Sequence, residues 1–135
     1  MRLCTRVYVR ACARKLTGGI MRERDIEAVL VTEVRKHGGR AYKFVSPGND
    51  GVPDRLVVMP GGVVIFVELK SDTGRLSPQQ KVQLKRLEEM GQAVEVVRGP
   101  EGLIRFFLQR GWFDSVRTVR SKNWEEVVSN EVHST

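Results

Sequence analysis

The sequence predicts a small α/β domain: a mixed sheet flanked by helices, in the order helix, strand, hairpin, helix, strand, helix. Three observations predict it. Two Val- and Ile-rich runs, Leu56 to Met59 and Val63 to Val67, are joined by Pro60-Gly61-Gly62 and read as a tight hairpin. Apolar residues recur at helical spacing before and after that hairpin. A later stretch, Ala93 to Val97, alternates as a strand does. With 135 residues, the chain is one domain long and can bury a real core.

The first helix is expected over Arg22 to His37. Ile26, Val29, Leu30 and Val34 share one face, and Gly38-Gly39 stops it. Glu27 lies at the edge of that apolar stripe, where an acid must reach a partner or water. Glu23, one turn earlier, is the other acid in reach. His37 reads as a helix-end residue favoured by the macrodipole rather than as a catalyst. Arg40 to Val45 reads as a strand with Tyr42 and Phe44 on one face. The loop Ser46 to Val52 is rich in glycine, which permits backbone angles other residues avoid.

The hairpin brings two acids together. A three-residue loop pairs Met59 with Val63, and the same register sets Asp54 opposite Glu68, with Cβ atoms roughly 4.5–5.5 Å apart. Two carboxylates at that spacing can share one divalent ion. A two-residue loop would shift the register by one. Glu68 and Lys70 are two apart on one strand and face the same side. The plain alternative makes Asp54 a turn residue, with Glu68 and Lys70 solvated on an edge strand.

After Lys70 comes a polar loop containing Arg75. Ser77 is placed as an N-cap with Pro78 at the first helical position, and the helix runs to Met90 before Gly91. Gln80, Leu84 and Leu87 fall on one line, so Gln80 points with the apolar face, where a buried amide needs a partner. Ala93 to Val97 is a short strand. Pro100 to Arg110 reads as a mostly buried helix. Trp112 and Phe113 form one apolar pair, and Trp124, Val127 and Val128 another.

Pro53-Asp54 followed by Glu68-Leu69-Lys70 is the PD-(D/E)xK pattern of metal-dependent nucleases. With the flanks Lys43-Phe44-Val45-Ser46-Pro47-Gly48 and Gly51-Val52-Pro53-Asp54-Arg55, the stretch from about Arg22 to Phe107 resembles the VRR-NUC branch of that superfamily. The resemblance implies a restriction-endonuclease-like core and hydrolysis of phosphodiesters. It implies Asp54 and Glu68 as ligands of Mg²⁺ or Mn²⁺, the backbone carbonyl of Leu69 as a further ligand, and Glu27 reaching the metal through water. Ser77-Pro78-Gln79-Gln80 matches the family's S-P-x-Q form, which selects Gln80 as the glutamine beside the metal. Lys70, next to two acids, suits an electrostatic role toward developing negative charge. Lys43, Ser46, Arg55 and Arg75 are the candidate DNA contacts; a solvated face is the alternative for each cation.

The net charge of +7 is not spread over the domain. Residues 1–20 hold Arg2, Arg6, Arg10, Arg14 and Lys15 and no acid; the remainder has 18 basic and 16 acidic residues, a net of +2. Affinity for nucleic acid must then come from local clustering. The expected organisation is a basic extension over 1–20, a nuclease domain over 21–113, and a C-terminal tail over 114–135. Two readings of the extension stand: a basic arm or transit-like peptide, or a natural start at Met21, with Gly18-Gly19 codons serving as a ribosome-binding sequence. Cys4 and Cys12 make no metal or disulfide pattern. No apolar run approaches the ~20 residues of a membrane span. By the resemblance, the expected function is a homodimeric, structure-specific endonuclease acting on branched DNA such as Holliday junctions, in a bacterial or phage-infected cytoplasm. A flap-cutting nuclease and a non-catalytic nucleic-acid-binding module of the same fold are the alternatives.

Overall fold

The computed structural model describes residues 21–121. The first twenty residues lie outside them, with both readings of the basic extension, and so does the cluster of Trp124, Val127 and Val128. The elements are α1 (Glu23–Lys36), β1 (Arg40–Lys43), β2 (Arg55–Met59), β3 (Val63–Lys70), α2 (Pro78–Glu89), β4 (Ala93–Arg98), α3 (Gly99–Gln109) and α4 (Phe113–Arg120). The strands form one sheet in the order β1-β2-β3-β4. β1, β2 and β3 pair antiparallel, whereas β4 runs parallel to β3. The parallel pair needs a crossover, which α2 supplies.

The hairpin has the three-residue loop. Met59 pairs with Val63, and the ladder continues to Arg55 with Val67. The pleat then sends Ile65, Val67 and Leu69 to one face of the sheet and Phe66, Glu68 and Lys70 to the other. The first face meets α1 and α3. Its core comprises Ile26, Val29, Leu30 and Val34 of α1, Val57, Ile65, Val67, Leu69 and Val97 of the sheet, and Leu103, Ile104, Phe106 and Phe107 of α3. The apolar stripe of α1 is the one its sequence spacing implies. On the second face the sheet is more open: Tyr42, Val64 and Val96 are exposed, and Phe44 packs edge-to-face on Phe66 with ring centroids 5.7 Å apart. The end of β3 is the exception. There all four residues from Val67 to Lys70 are buried, on both faces of the sheet.

The C-terminal part differs from the expected tail. α4 begins at Phe113 and buries Ser115, Val116 and Val119, so the packed unit continues past residue 113. Trp112 anchors it. Its ring lies against Phe107 at 5.9 Å and Phe106 at 6.1 Å. Polar residues alternate with only two valines over this segment, too little periodicity to reveal a helix from sequence. Among the described residues, no helix is long and apolar enough to cross a membrane.

Local chemistry positions α2 against the loop before β2. The Ser77 hydroxyl accepts from the Gln80 N–H at 3.2 Å, and the Gln80 Oε1 accepts from the Ser77 N–H at 2.9 Å, a capping box. Gly51, at φ +85°, lies directly on this turn: a Cβ there would come within 2.6 Å of the Gln79 carbonyl carbon. Gly48 has φ +80° but open space around it. Both positions resist a side chain through backbone strain, and Gly51 resists it through contact as well. Gly48→Ala is expected to cost about 1–3 kcal/mol. Gly51→Ala should cost clearly more, because backbone must move, and urea unfolding of the two variants measures the difference.

Candidate active site

Asp54, Glu68, Lys70 and Gln80 meet at the end of β3. The Glu68 side chain is 1% exposed. Its Oε1 accepts from the Gln80 Nε2 at 2.8 Å and lies 3.2 Å from the Lys70 Nζ. Its Oε2 is buried with no hydrogen-bond partner. Asp54 sits one residue beyond the last ladder pair of β2. There its Oδ2 accepts from the Leu69 N–H at 2.9 Å. The carboxylate thus continues the ladder where Pro53 turns the chain away, and it holds the Leu69 peptide between the two acids.

Burial raises the Glu68 pKa from 4.5 to about 7, and the nearby Asp54 charge adds to the rise against the opposing pull of Lys70. Such a carboxyl takes up a proton near neutrality because it lacks enough positive charge. A divalent ion would meet that deficit. The donors are carboxylate oxygens, the class Mg²⁺ and Mn²⁺ prefer, and one of them is buried and unpartnered. The residues present therefore fit such an ion.

Gln80 is at once the third residue of the capping box of α2 and the partner of Glu68. Glu27 meets Arg55 directly. Its Oε1 accepts from the Arg55 Nε at 2.8 Å, and Arg55 also donates from Nη1 to the Ala41 carbonyl at 2.9 Å. The reason is the pleat: Arg55 alternates with Asp54 and points to the α1 face, whereas Glu68 points to the other. Arg55 is consequently tied into the fold rather than offered to solvent. Lys43 and Arg75 are exposed. Ser46 closes its loop, its hydroxyl accepting from the Asn49 Nδ2 at 2.9 Å. Glu23 is exposed on the first turn of α1. A hollow of about 300 Å³ beside the edge strand β1 is lined by Lys43 and Arg55 and also by Arg35 and Arg40, which no motif in the sequence marks.

A second polar cluster was not foreseen. Glu33, His37 and Asp114 bring three ligand atoms within 4.8 Å of one another and can coordinate a divalent ion. Glu33 and Asp114 are far apart in the chain and match no spacing rule, so no sequence signal joins them. The cluster stands apart from Asp54 and Glu68. It lies where α1 ends, and the following Gly38 is against Pro60 in the hairpin loop, at the opposite end of β2 from Asp54.

The family model of the VRR-NUC domain matches residues 22–101. A relative from Acyrthosiphon pisum secondary endosymbiont phage 1, named "Putative nuclease p44", is 53% identical over 78 residues, or 58% of this chain and 84% of the relative. A solved structure described as a VRR_NUC domain matches with a TM-score of 0.56 at 25% identity, covering 74% of this chain and 96% of that one. A mixed sheet with two acids, a lysine and a glutamine at one strand end defines a hydrolytic nuclease, and the chain belongs to the VRR-NUC domain family of the PD-(D/E)xK nuclease superfamily.

The raised pKa carries a sign. Proton uptake by Glu68 stabilises the metal-free fold at low pH, and that contribution is lost as the pH rises from about 4.5 through about 7. In EDTA, wild type should therefore lose stability relative to Glu68→Gln across that window, by up to about 3 kcal/mol. Urea titrations on both sides of the window check it; a gap that stays constant would contradict it.

Proposed function

We propose that the chain is a metal-dependent, structure-specific DNA endonuclease, acting on branched DNA such as Holliday junctions. The observation that carries the reading is the Glu68 Oε2, a buried and unpartnered carboxylate oxygen beside Asp54. Asp54, Glu68 and the Leu69 carbonyl would hold Mg²⁺ or Mn²⁺. When bound, that ion supplies Lewis acidity at the phosphoryl group and lowers the pKa of water.

The chain's own residues do the rest. Gln80 pins the Glu68 Oε1 and so aims Oε2 away from α2. Asp54 fixes the Leu69 peptide through its N–H. Lys70, an ammonium 3.2 Å from the Glu68 Oε1, orients the attacking water and stabilises negative charge developing on the phosphate. Glu27 contributes from the other face, through water and through its hold on Arg55, the neighbour of Asp54. Lys43 beside the basic hollow, with Ser46 and Arg75 on the two loops, would contact DNA phosphates. One compact site cuts one strand, so resolving a junction calls for two copies, and we infer a homodimer. The similar phage protein's name, a nuclease, supports the activity and agrees with a bacterial or phage-infected cytoplasm.

Labelled four-way junction, flap and plain duplex, each with Mg²⁺, Mn²⁺ or EDTA, test the reading. Cleavage should require the metal, favour the junction, and fall by about 10²-fold or more in Lys70→Ala. Preference for the flap would move the substrate to that structure. Binding without cleavage in either metal would make the chain a non-catalytic module. Sedimentation equilibrium should show a dimer, and a monomer at cleaving concentrations would overturn that part.

A further inference from the structure

The Glu33 cluster has chemistry of its own. Glu33 and His37 come from the last turn and C-cap of α1, Asp114 and Ser115 from the first turn of α4. The Glu33 side chain is 1% exposed, a carboxylate taken out of water at the end of a helix whose macrodipole there is negative. Its Oε2 accepts from the Ser115 hydroxyl at 2.6 Å. Its Oε1 is met by the Lys36 Nζ at 3.0 Å, on a side chain half in solvent.

His37 is held in place. Its ring stacks on Trp112 with centroids 4.1 Å apart and planes 2° from parallel. Its Nε2 lies 3.1 Å from the Ser115 Oγ and 3.3 Å from the Asp114 Oδ1. The serine's proton is committed to Glu33. One imidazole N–H must therefore serve both the serine oxygen and the Asp114 carboxylate. Two carboxylates and one imidazole nitrogen converge, and protons bridge them only in part.

We infer that this cluster is a second metal site, for a borderline transition ion of the Zn²⁺ class, joining α4 to the end of α1. On binding, the Nε2 proton moves to solvent or the ring takes its Nδ1–H tautomer, which frees the Nε2 lone pair. Neutral imidazole with two carboxylates suits Zn²⁺ far better than Mg²⁺, which prefers all-oxygen surroundings. Ligand atoms about a tetrahedral zinc stand about 3.3–3.6 Å apart for bonds of about 2.0–2.2 Å. The His37–Asp114 pair already has that spacing, at 3.3 Å. Glu33 lies within 4.8 Å of both, so it closes a gap of at most about 1.5 Å. Asp114, more than half exposed, faces the route from solvent. The Ser115 hydroxyl or water completes the set. The pre-stacked imidazole lowers the ordering cost of binding. The site is independent of the nuclease reading, because none of its residues contacts Asp54, Glu68 or Lys70.

The test uses the full chain carrying Asp54→Asn and Glu68→Gln, so that the nuclease acids do not report. Calorimetry with ZnCl₂ should show one tight equivalent, with Tm raised by Zn²⁺ and not by the same concentration of Mg²⁺. Adding Asp114→Asn should weaken binding at least tenfold and remove the Tm rise, while Tm in EDTA stays near that of the parent. His37→Phe, which keeps the ring on Trp112, should do the same. Absence of Zn²⁺ binding would overturn the proposal. So would binding that survives both substitutions, which would place the ion on other donors such as Cys4, Cys12 or His133.

Discussion

Glu68 carries a carboxylate into a place that water barely reaches, and the surrounding structure answers to it. One oxygen is taken by the Gln80 amide and the Lys70 ammonium; the other has no protein partner. Isolated buried charge is costly, and here one cation faces two acids. The result is a carboxyl that keeps its proton to about pH 7 until more positive charge arrives. The acid makes sense as half of a site completed from outside.

Three separate parts of the chain converge to make that environment. The antiparallel hairpin sets Asp54 beside Glu68 through cross-strand register. The parallel pairing of β3 with β4 forces a helical crossover, and that crossover lays the first turn of α2 over the end of β3. The loop before β2 is then pressed against α2 at Gly51, where no side chain fits. Gln80 sits at the junction of these constraints. Its oxygen caps the helix and its amide nitrogen holds Glu68, so helix start and site geometry cannot vary independently.

The sheet also partitions the polar residues. Asp54 and Glu68 work on the α2 side, whereas Glu27 and Arg55 meet on the α1 side. At the far end of the same helix α1, Glu33 and His37 are gathered with the start of α4. Glu27 and Glu33 on this one helix thus have different surroundings: a partly exposed acid met by an arginine, and a buried one met by a serine and a lysine. The second arrangement ties α4 to the body of the domain.

Most of the fold was legible because it rests on local patterning. Helical spacing in α1 and α3, Ser-Pro at the start of α2 and the Val-rich hairpin each specify their own element within a few residues. The hairpin register was one of two that the sequence allowed; the fold takes the three-residue loop, and with it come Asp54, Glu68 and Lys70 as a group. What the sequence could not settle were contacts across the sheet and between distant helices. Glu27 was expected to reach the metal through water; which direct partner it takes depends on which face of the pleat meets α1, and Arg55 stands on that face. α4 has too few apolar residues to announce itself, and its packing follows from Trp112 reaching Phe106, Phe107 and His37. The meeting of Glu33 with Ser115, 82 residues away, belongs to tertiary structure alone. Local periodicity and turn chemistry act over a few residues of chain, and the sequence determined what they govern. Only the packed fold decided which polar groups lost their water and had to find each other.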